Sequence, residues 1–190
     1  MLNTVERNGW GFTRGERMDS VLDRARGGDV GAFEAAVRDL LQPAYRLALT
    51  MLRDGDRAED AVQEATIKAW SNLGRLRDDG SLRSWFLTIV ANECRSALRS
   101  KPWLALDARW FHREPRPAQE VAAERIDVAR AVAGLGQAER LVVYLYYYLD
   151  LDVAEASRIA GISESAFRSR LARATRRLRP QFVTEDSSDG

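Results

Sequence analysis

From Ser20 onward, apolar residues recur at intervals of three and four, the period of helices buried on one side. Val21, Leu22 and Ala25 open the pattern, and Gly27-Gly28 breaks it. Asp29 is placed as an N-cap for a second helix with the stripe Val30, Phe33, Val37, Leu40 and Leu41. Pro43 is expected to kink or restart that helix, and Ala44, Leu47, Ala48 and Met51 continue the stripe beyond it. The turn Arg53-Asp54-Gly55-Asp56 leads to a third helix, AEDAVQEATIKAW, whose core side is Ala58, Ala61, Val62, Ala65 and Ala69. A charged loop, RLRDDGS, separates it from a fourth helix at about 82–99. There Leu82, Trp85, Phe86 and Ile89 share one phase, which makes Trp85 a core residue. The other side carries Ser84, Thr88, Asn92, Arg95 and Arg99. Glu93 intrudes on the apolar side, and nothing in the sequence accounts for it.

The period is lost in KPWLALDARWFHREPRP, residues 101–117, which hold three of the five prolines and read as a linker. Helical patterning resumes near Ala118 and stops at Gly134 and Gly136. QAERLVVYLYYYL is apolar enough for a strand, but its helical surroundings assign it to a helix. Residues 152–179 then divide into helix, turn and helix. Val153, Ala156, Ile159 and Ala160 form the first face, Gly161 permits the turn, and Ser163 caps a helix with Phe167, Leu171, Ala174 and Leu178 inward. No hairpin signal or repeat interrupts the pattern. The expected fold is all-α, with two helical domains: an extension over 1–18, a domain over 19–100, a linker over 101–117, a second domain over 118–180 and a polar tail over 181–190.

Composition narrows the chemistry. The 190 residues carry a net charge of only +1, but the charges are segregated. All but Lys68 and Lys101 of the 29 basic residues are arginines, which suits bidentate contacts to phosphates and base edges. One cysteine, Cys94, and one histidine, His112, rule out an internal disulfide and a Cys/His zinc site. Cys94 lies within a helix and reads as a small packing residue. No nucleophile–base pair, metal cluster or phosphate loop is visible, so no enzyme, cofactor or metal is expected. No apolar run reaches the ~20 residues of a membrane span, and no signal peptide opens the chain, which makes the cytoplasm the expected location.

Two faces stand out. On the third helix Asp60, Gln63, Glu64 and Lys68 form a polar stripe with Ile67 in its middle. An apolar centre with a polar rim has the composition of a protein interface, and its acidity points away from DNA. On the last helix Arg168, Arg170, Arg173, Arg176, Arg177 and Arg179 face outward, with Glu164 alone opposing them. A helix-turn-helix docks such a helix in the major groove, where arginine reads guanine and holds phosphates.

These stretches together resemble a known family. AEDAVQEATIKAW is similar to the AED-VQE-----AW signature of bacterial extracytoplasmic-function (ECF) sigma factors, of the sigma-70 family. SLRSWFLTIVANECRSALRS resembles their F--WL--IA-N---D-LR segment, and ISESAFRSRLARATRRLR their recognition helix. The resemblance covers about 20–100, called region 2, and 120–180, called region 4. This sequence departs from the pattern at Ala61, Thr66, Leu135-Gly136, Ala156-Ser157 and Ser163.

The resemblance implies a factor that binds core RNA polymerase, directs it to promoters and helps open the DNA. Asp60, Gln63, Glu64 and Ile67 would meet the clamp helices of the polymerase β′ subunit, and the β flap is a second implied contact. Ser84, Thr88, Asn92, Arg95 and Arg99 would hold the −10 element as a single strand, with loop 75–81 selecting a base. Ser165, Arg168, Ser169, Arg170, Ala172 and Arg173 would face the −35 duplex. Trp103, Trp110 and Phe111 would either enter the polymerase channel or belong to a plain tether. An anti-sigma protein is an implied partner. The competing reading is a helix-turn-helix regulator with an N-terminal effector-binding domain. It accounts for 137–179 but predicts neither the stripe at 60–67 nor the basic face at 84–99.

Overall fold

The computed structural model describes residues 14–76, 81–100 and 131–178, with side chains from residue 18 onward. Among them there is no strand, residues 131–133 are helical, and seven α-helices are described whole: α1 (Arg14–Arg26), α2 (Val30–Leu52), α3 (Gly55–Ser71), α4 (Leu82–Ser100), α5 (Gln137–Val143), α6 (Val153–Ala160) and α7 (Glu164–Leu178). The expected linker, the helix from Ala118 to residue 130 and the C-terminal tail lie outside the described residues.

The caps follow the local chemistry. Asp29 accepts from the Ala32 amide at 3.0 Å and Asp54 from the Arg57 amide at 3.1 Å, so carboxylates satisfy orphan N–H groups that open α2 and α3. Arg53 closes α2 in the left-handed region, at φ 56°. Asp152 accepts from the Glu155 amide at 2.8 Å, and Gly161, at φ 69°, ends α6. Ser163 accepts from the Ala166 amide at 3.3 Å, the cap expected for α7.

Three expectations are corrected. Helix α1 begins at Arg14, not near Ser20, so the last residues of the extension expected over 1–18 are helical. Helix α2 runs unbroken through Pro43. The restart is what fails: proline removes one backbone donor, but Ala44, Leu47 and Ala48 just beyond it are fully buried, and their packing carries the helix on past the lost bond. Val30 and Leu41 are exposed, since both lie on the margin of the α2 stripe centred on Phe33, Leu40, Ala44, Leu47 and Met51.

Helices α1–α4 pack as one bundle, with α2 against α1, α3 and α4. Alanines at 58, 61, 65 and 69 form the buried side of α3 and allow close approach to its neighbours. Phe86, Leu87, Val90, Ala91 and Cys94 are fully buried on α4, and Trp85 packs at the edge of the core. Glu93 finds its reason here: its carboxylate pairs with Lys68 on α3 at 2.5 Å. Helices α5–α7 form the second unit, α7 packing on both α5 and α6. After α5 the chain widens into a π-turn over Tyr144–Tyr148 before Leu149 and Leu151 return to the core.

The two units share a single apolar core, with α4 packed against α6 and α2 against α5. Polar links cross the same boundary. Tyr144 donates its hydroxyl to the Pro43 carbonyl at 2.9 Å, Arg83 reaches the Leu149 carbonyl at 2.7 Å, and Gln137 donates to the Met51 carbonyl.

Burial pushes the Cys94 thiol up to about 12, and its side chain has no exposed surface. Iodoacetamide at pH 8 should therefore leave the native chain unmodified and alkylate the urea-unfolded chain, as read by intact mass. Rapid labelling of the native chain would show that α4 does not bury this thiol as described.

Candidate functional site

Three faces gather the residues singled out by the sequence. On α3, the inward side is held by the four buried alanines, and this sets the phase of everything else on the helix. Asp60, Gln63, Glu64 and Ile67 are consequently all exposed, Ile67 by 60%. A carboxylate-rich face with one bare isoleucine has no intramolecular reason to keep that side chain in water. Thr66, beside it, is half-buried and donates to the Val62 carbonyl at 2.7 Å, so its hydroxyl is satisfied within α3.

The face continues into a cleft between α3 and α4 lined by Arg57, Asp60, Glu64, Glu93 and Ser96. Arg57 crosses it to donate to the Ala97 carbonyl at 2.8 Å. The sequence did not point to Arg57 or Ser96, because the cleft exists only once α3 and α4 are side by side.

On α4, Ser84, Thr88, Asn92, Arg95 and Arg99 share one side of the helix, as their spacing requires. Asn92 and Arg99 are exposed, and Ser84, Thr88 and Arg95 are half-covered. Thr88 donates back to the Ser84 carbonyl at 2.7 Å. Arg95 donates to Asn92 at 2.6 Å and to the Ile159 carbonyl, at the end of α6, at 3.0 Å. Partial burial lowers its basicity from the usual arginine value while leaving it a cation.

On α7, Phe167 and Ala174 are buried with Leu171 and Leu178 at the edge. That fixes Arg168, Ser169, Ala172 and Arg173 outward, with Ser165 exposed in the first turn. Arg170 is half-covered rather than fully outward. Arg168 pairs with Glu164 at 2.9 Å, an exposed pair across one turn. Glu164 is not the only acid opposing the arginines. Arg177 pairs with Glu139 of α5 at 2.7 Å and holds that carboxyl below the usual range, which ties the far end of α7 to α5 and leaves its N-terminal half to other partners. Tyr146 and Tyr147 line a shallow groove with Arg168, Ala172 and Arg176, and Tyr147 is 60% exposed.

Comparison with known proteins decides between the two sequence readings. Sigma-70 region 2 matches residues 36–104, and Sigma-70 region 4 matches residues 125–178. The ECF RNA polymerase sigma factor SigM of Mycobacterium tuberculosis is 33% identical over 169 residues, which span 87% of this chain and 85% of SigM. The chain belongs to the ECF RNA polymerase sigma factors. SigV of Bacillus subtilis is 27% identical over 80% of this chain and 92% of its own length. Among solved structures, the sigma factor RpoE of Bartonella quintana, in complex with its anti-sigma factor NepR, superposes with a TM-score of 0.67 at 25% identity, covering 82% of this chain and 99% of RpoE.

As an ECF sigma factor the chain directs core RNA polymerase to promoters and initiates transcription. The alternative of a regulator with an effector-binding domain is not favoured, because its N-terminal half is region 2. The sigma factor has no described helix long and apolar enough to cross a membrane.

Proposed function

We propose that this sigma factor divides its work among the three faces. Asp60, Gln63, Glu64 and Ile67 on α3 dock on the β′ clamp helices. The Ser84–Arg99 face of α4 takes the −10 element as a single strand. The outer side of α7, from Ser165 through Arg173, reads the −35 duplex. The single observation that carries this reading is the pairing of opposites: an acidic face with a bare Ile67 on α3, and an arginine face on α7. A surface that repels phosphate but offers an apolar centre fits a basic protein partner. A surface of guanidiniums along a capped helix-turn-helix fits duplex DNA.

Single-strand capture calls for polar and basic groups that follow a backbone, and α4 offers Asn92, Arg95 and Arg99 on one side. No step of this work is catalytic in the sigma factor itself, since the polymerase performs the chemistry. The factor acts in the cytoplasm with the polymerase. An anti-sigma protein is its expected regulator, as NepR is for RpoE.

Multiple-round run-off transcription with purified core enzyme and a library of genomic fragments tests the whole reading. Discrete 5′ ends that require the added chain are expected. An active core enzyme that neither retains the chain nor yields such ends would overturn it.

A further inference from the structure

Four of the chain's five tyrosines fall in one stretch, Tyr144–Tyr148, and they serve in two opposite ways. The stretch is a π-turn, in which the Leu149 amide donates to the Tyr144 carbonyl at 3.0 Å, five residues back. Such widened turns are rare in helices and frequent at functional sites. Tyr144 and Tyr148 stack on one another at 4.9 Å on the side of α2. There Tyr144 donates to the Pro43 carbonyl, and Arg46 lies 5.2 Å from the centre of the Tyr148 ring. Contacts inside the chain account for that pair. Tyr146 and Tyr147 turn instead to α7. Their rings meet edge to face at 5.0 Å, so each steadies the other. Among the described residues neither hydroxyl has a hydrogen-bond partner.

Across the groove stand Arg168, Ala172 and Arg176, one stripe of α7 at intervals of four. Ala172 carries nothing beyond its Cβ, which leaves room between the two arginines. Thr175 also lines the groove, but its hydroxyl is committed to the Leu171 carbonyl at 2.9 Å. Two guanidiniums and two phenols line it, with no carboxylate among the described residues, so its charge suits an anionic occupant. Arg168 shares its charge with Glu164 at 2.9 Å, an exposed pair that a phosphate can replace. The dimensions of DNA say which anion lies there. A helix about 10–12 Å across fills a major groove about 12 Å wide, so the sugar-phosphate backbones run along the flanks of the inserted helix. The tyrosine groove is one flank of α7. Arg173 and Arg177, beside Glu139 of α5, form the other.

We propose that Tyr146 and Tyr147 are DNA-positioning residues: with Arg168 and Arg176 they form a track for one backbone of the duplex that α7 reads, each phenol donating its hydroxyl to a phosphate oxygen. Region 4 thereby holds duplex DNA from the π-turn as well as from its recognition helix. A phenol adds a directional hydrogen bond without adding charge, so the tyrosines set register on the backbone and leave sequence choice to α7. The proposal rests on the assignment of α7 to the −35 duplex.

The test uses the full chain with Tyr147→Phe and with Tyr146→Phe/Tyr147→Phe, which keep both rings and remove only the hydroxyls. Two fluorescein-labelled duplexes report binding by anisotropy across a salt series: a −35 fragment mapped by run-off transcription and a scrambled duplex of the same composition. Loss of a hydrogen bond to a charged acceptor should weaken both duplexes alike, by about tenfold for Tyr147→Phe and further for the double variant. The slope of log affinity against log salt should stay unchanged, because no cation is removed. Both hydroxyls are unpartnered in the free chain, so its thermal melt should not move. Undiminished affinity of the double variant would overturn the proposal, and so would a loss confined to the −35 fragment, which would make the phenols readers of sequence. Core polymerase is titrated in parallel. Weaker binding there with duplex binding intact would give the groove to a protein and remove the DNA track. Arg173→Ala separates this proposal from the reading beneath it. Weaker duplex binding by Arg173→Ala beside an unchanged double variant removes the tyrosine track alone, whereas indifference of both takes α7 off the DNA.

Discussion

Ile67→Arg is expected to weaken binding to core RNA polymerase by about 30-fold or more while leaving the fold intact. The isoleucine is 60% exposed and takes no part in the core, so its replacement changes the stability of the free chain by no more than about 0.5 kcal/mol. At a docked interface the same position would be the apolar centre of a polar rim, and loss of such a centre typically costs about 2 kcal/mol or more. The substituted cation adds repulsion, because a partner chosen by an acidic face is itself basic. Asp60→Ala and Gln63→Ala should each weaken binding by less, since rim groups shape the encounter more than the residence. The measurement is a titration of labelled sigma factor with core enzyme, beside a thermal melt of the free variant. Full-strength binding by Ile67→Arg would remove α3 from the polymerase interface. An unfolded variant would instead reveal a packing role that its exposure does not suggest.

Arg168→Ala and Arg173→Ala carry the second large effect. Each removes one guanidinium from the outer side of α7, and a bidentate contact to a guanine or a firm phosphate contact is worth about 1–3 kcal/mol. Each should therefore weaken a −35 duplex by roughly 10- to 100-fold. The Arg168–Glu164 pair does not protect against this loss, because both partners are exposed and such pairs contribute about 1 kcal/mol at most. The two modes of contact separate by their salt dependence. A phosphate contact lowers the slope of log affinity against log salt by about one when it is removed, whereas a base contact relaxes sequence preference at one position. An unchanged slope together with unchanged preference in both variants would take α7 off the DNA.

The three faces differ in how far the sequence alone defines them. On α3 the alanines at 58, 61, 65 and 69 are small, regularly spaced and unmistakably inward, so the phase of Ile67 followed directly from counting. On α7 the spacing of Phe167, Leu171, Ala174 and Leu178 did the same for Arg168 and Arg173, though not for Arg170, which is half-covered. Both are local facts, carried by 3.6 residues per turn. Pro43 misled for the opposite reason: its intrinsic cost is local, but the packing that overrides it comes from Ala44, Leu47 and Ala48 meeting other helices. Glu93 was opaque because its partner, Lys68, lies on another helix, and Glu139 was missed as a partner for Arg177 for the same reason.

What the sequence determined by itself is the helical character of the chain, the division into two units, the caps at Asp29 and Ser163, and the orientation of side chains around each helix. Periodicity and capping act between residues a few positions apart, so one strand of text contains them. What only the tertiary structure decided is which of those faces remain free. Nothing near Arg95 in the chain announces that Ile159, 64 positions away, will accept its hydrogen bond, or that Tyr144 will reach Pro43 across 101. Those contacts arise when two apolar surfaces from different domains merge into one core, and the carbonyls left at helix ends then select the nearest cations.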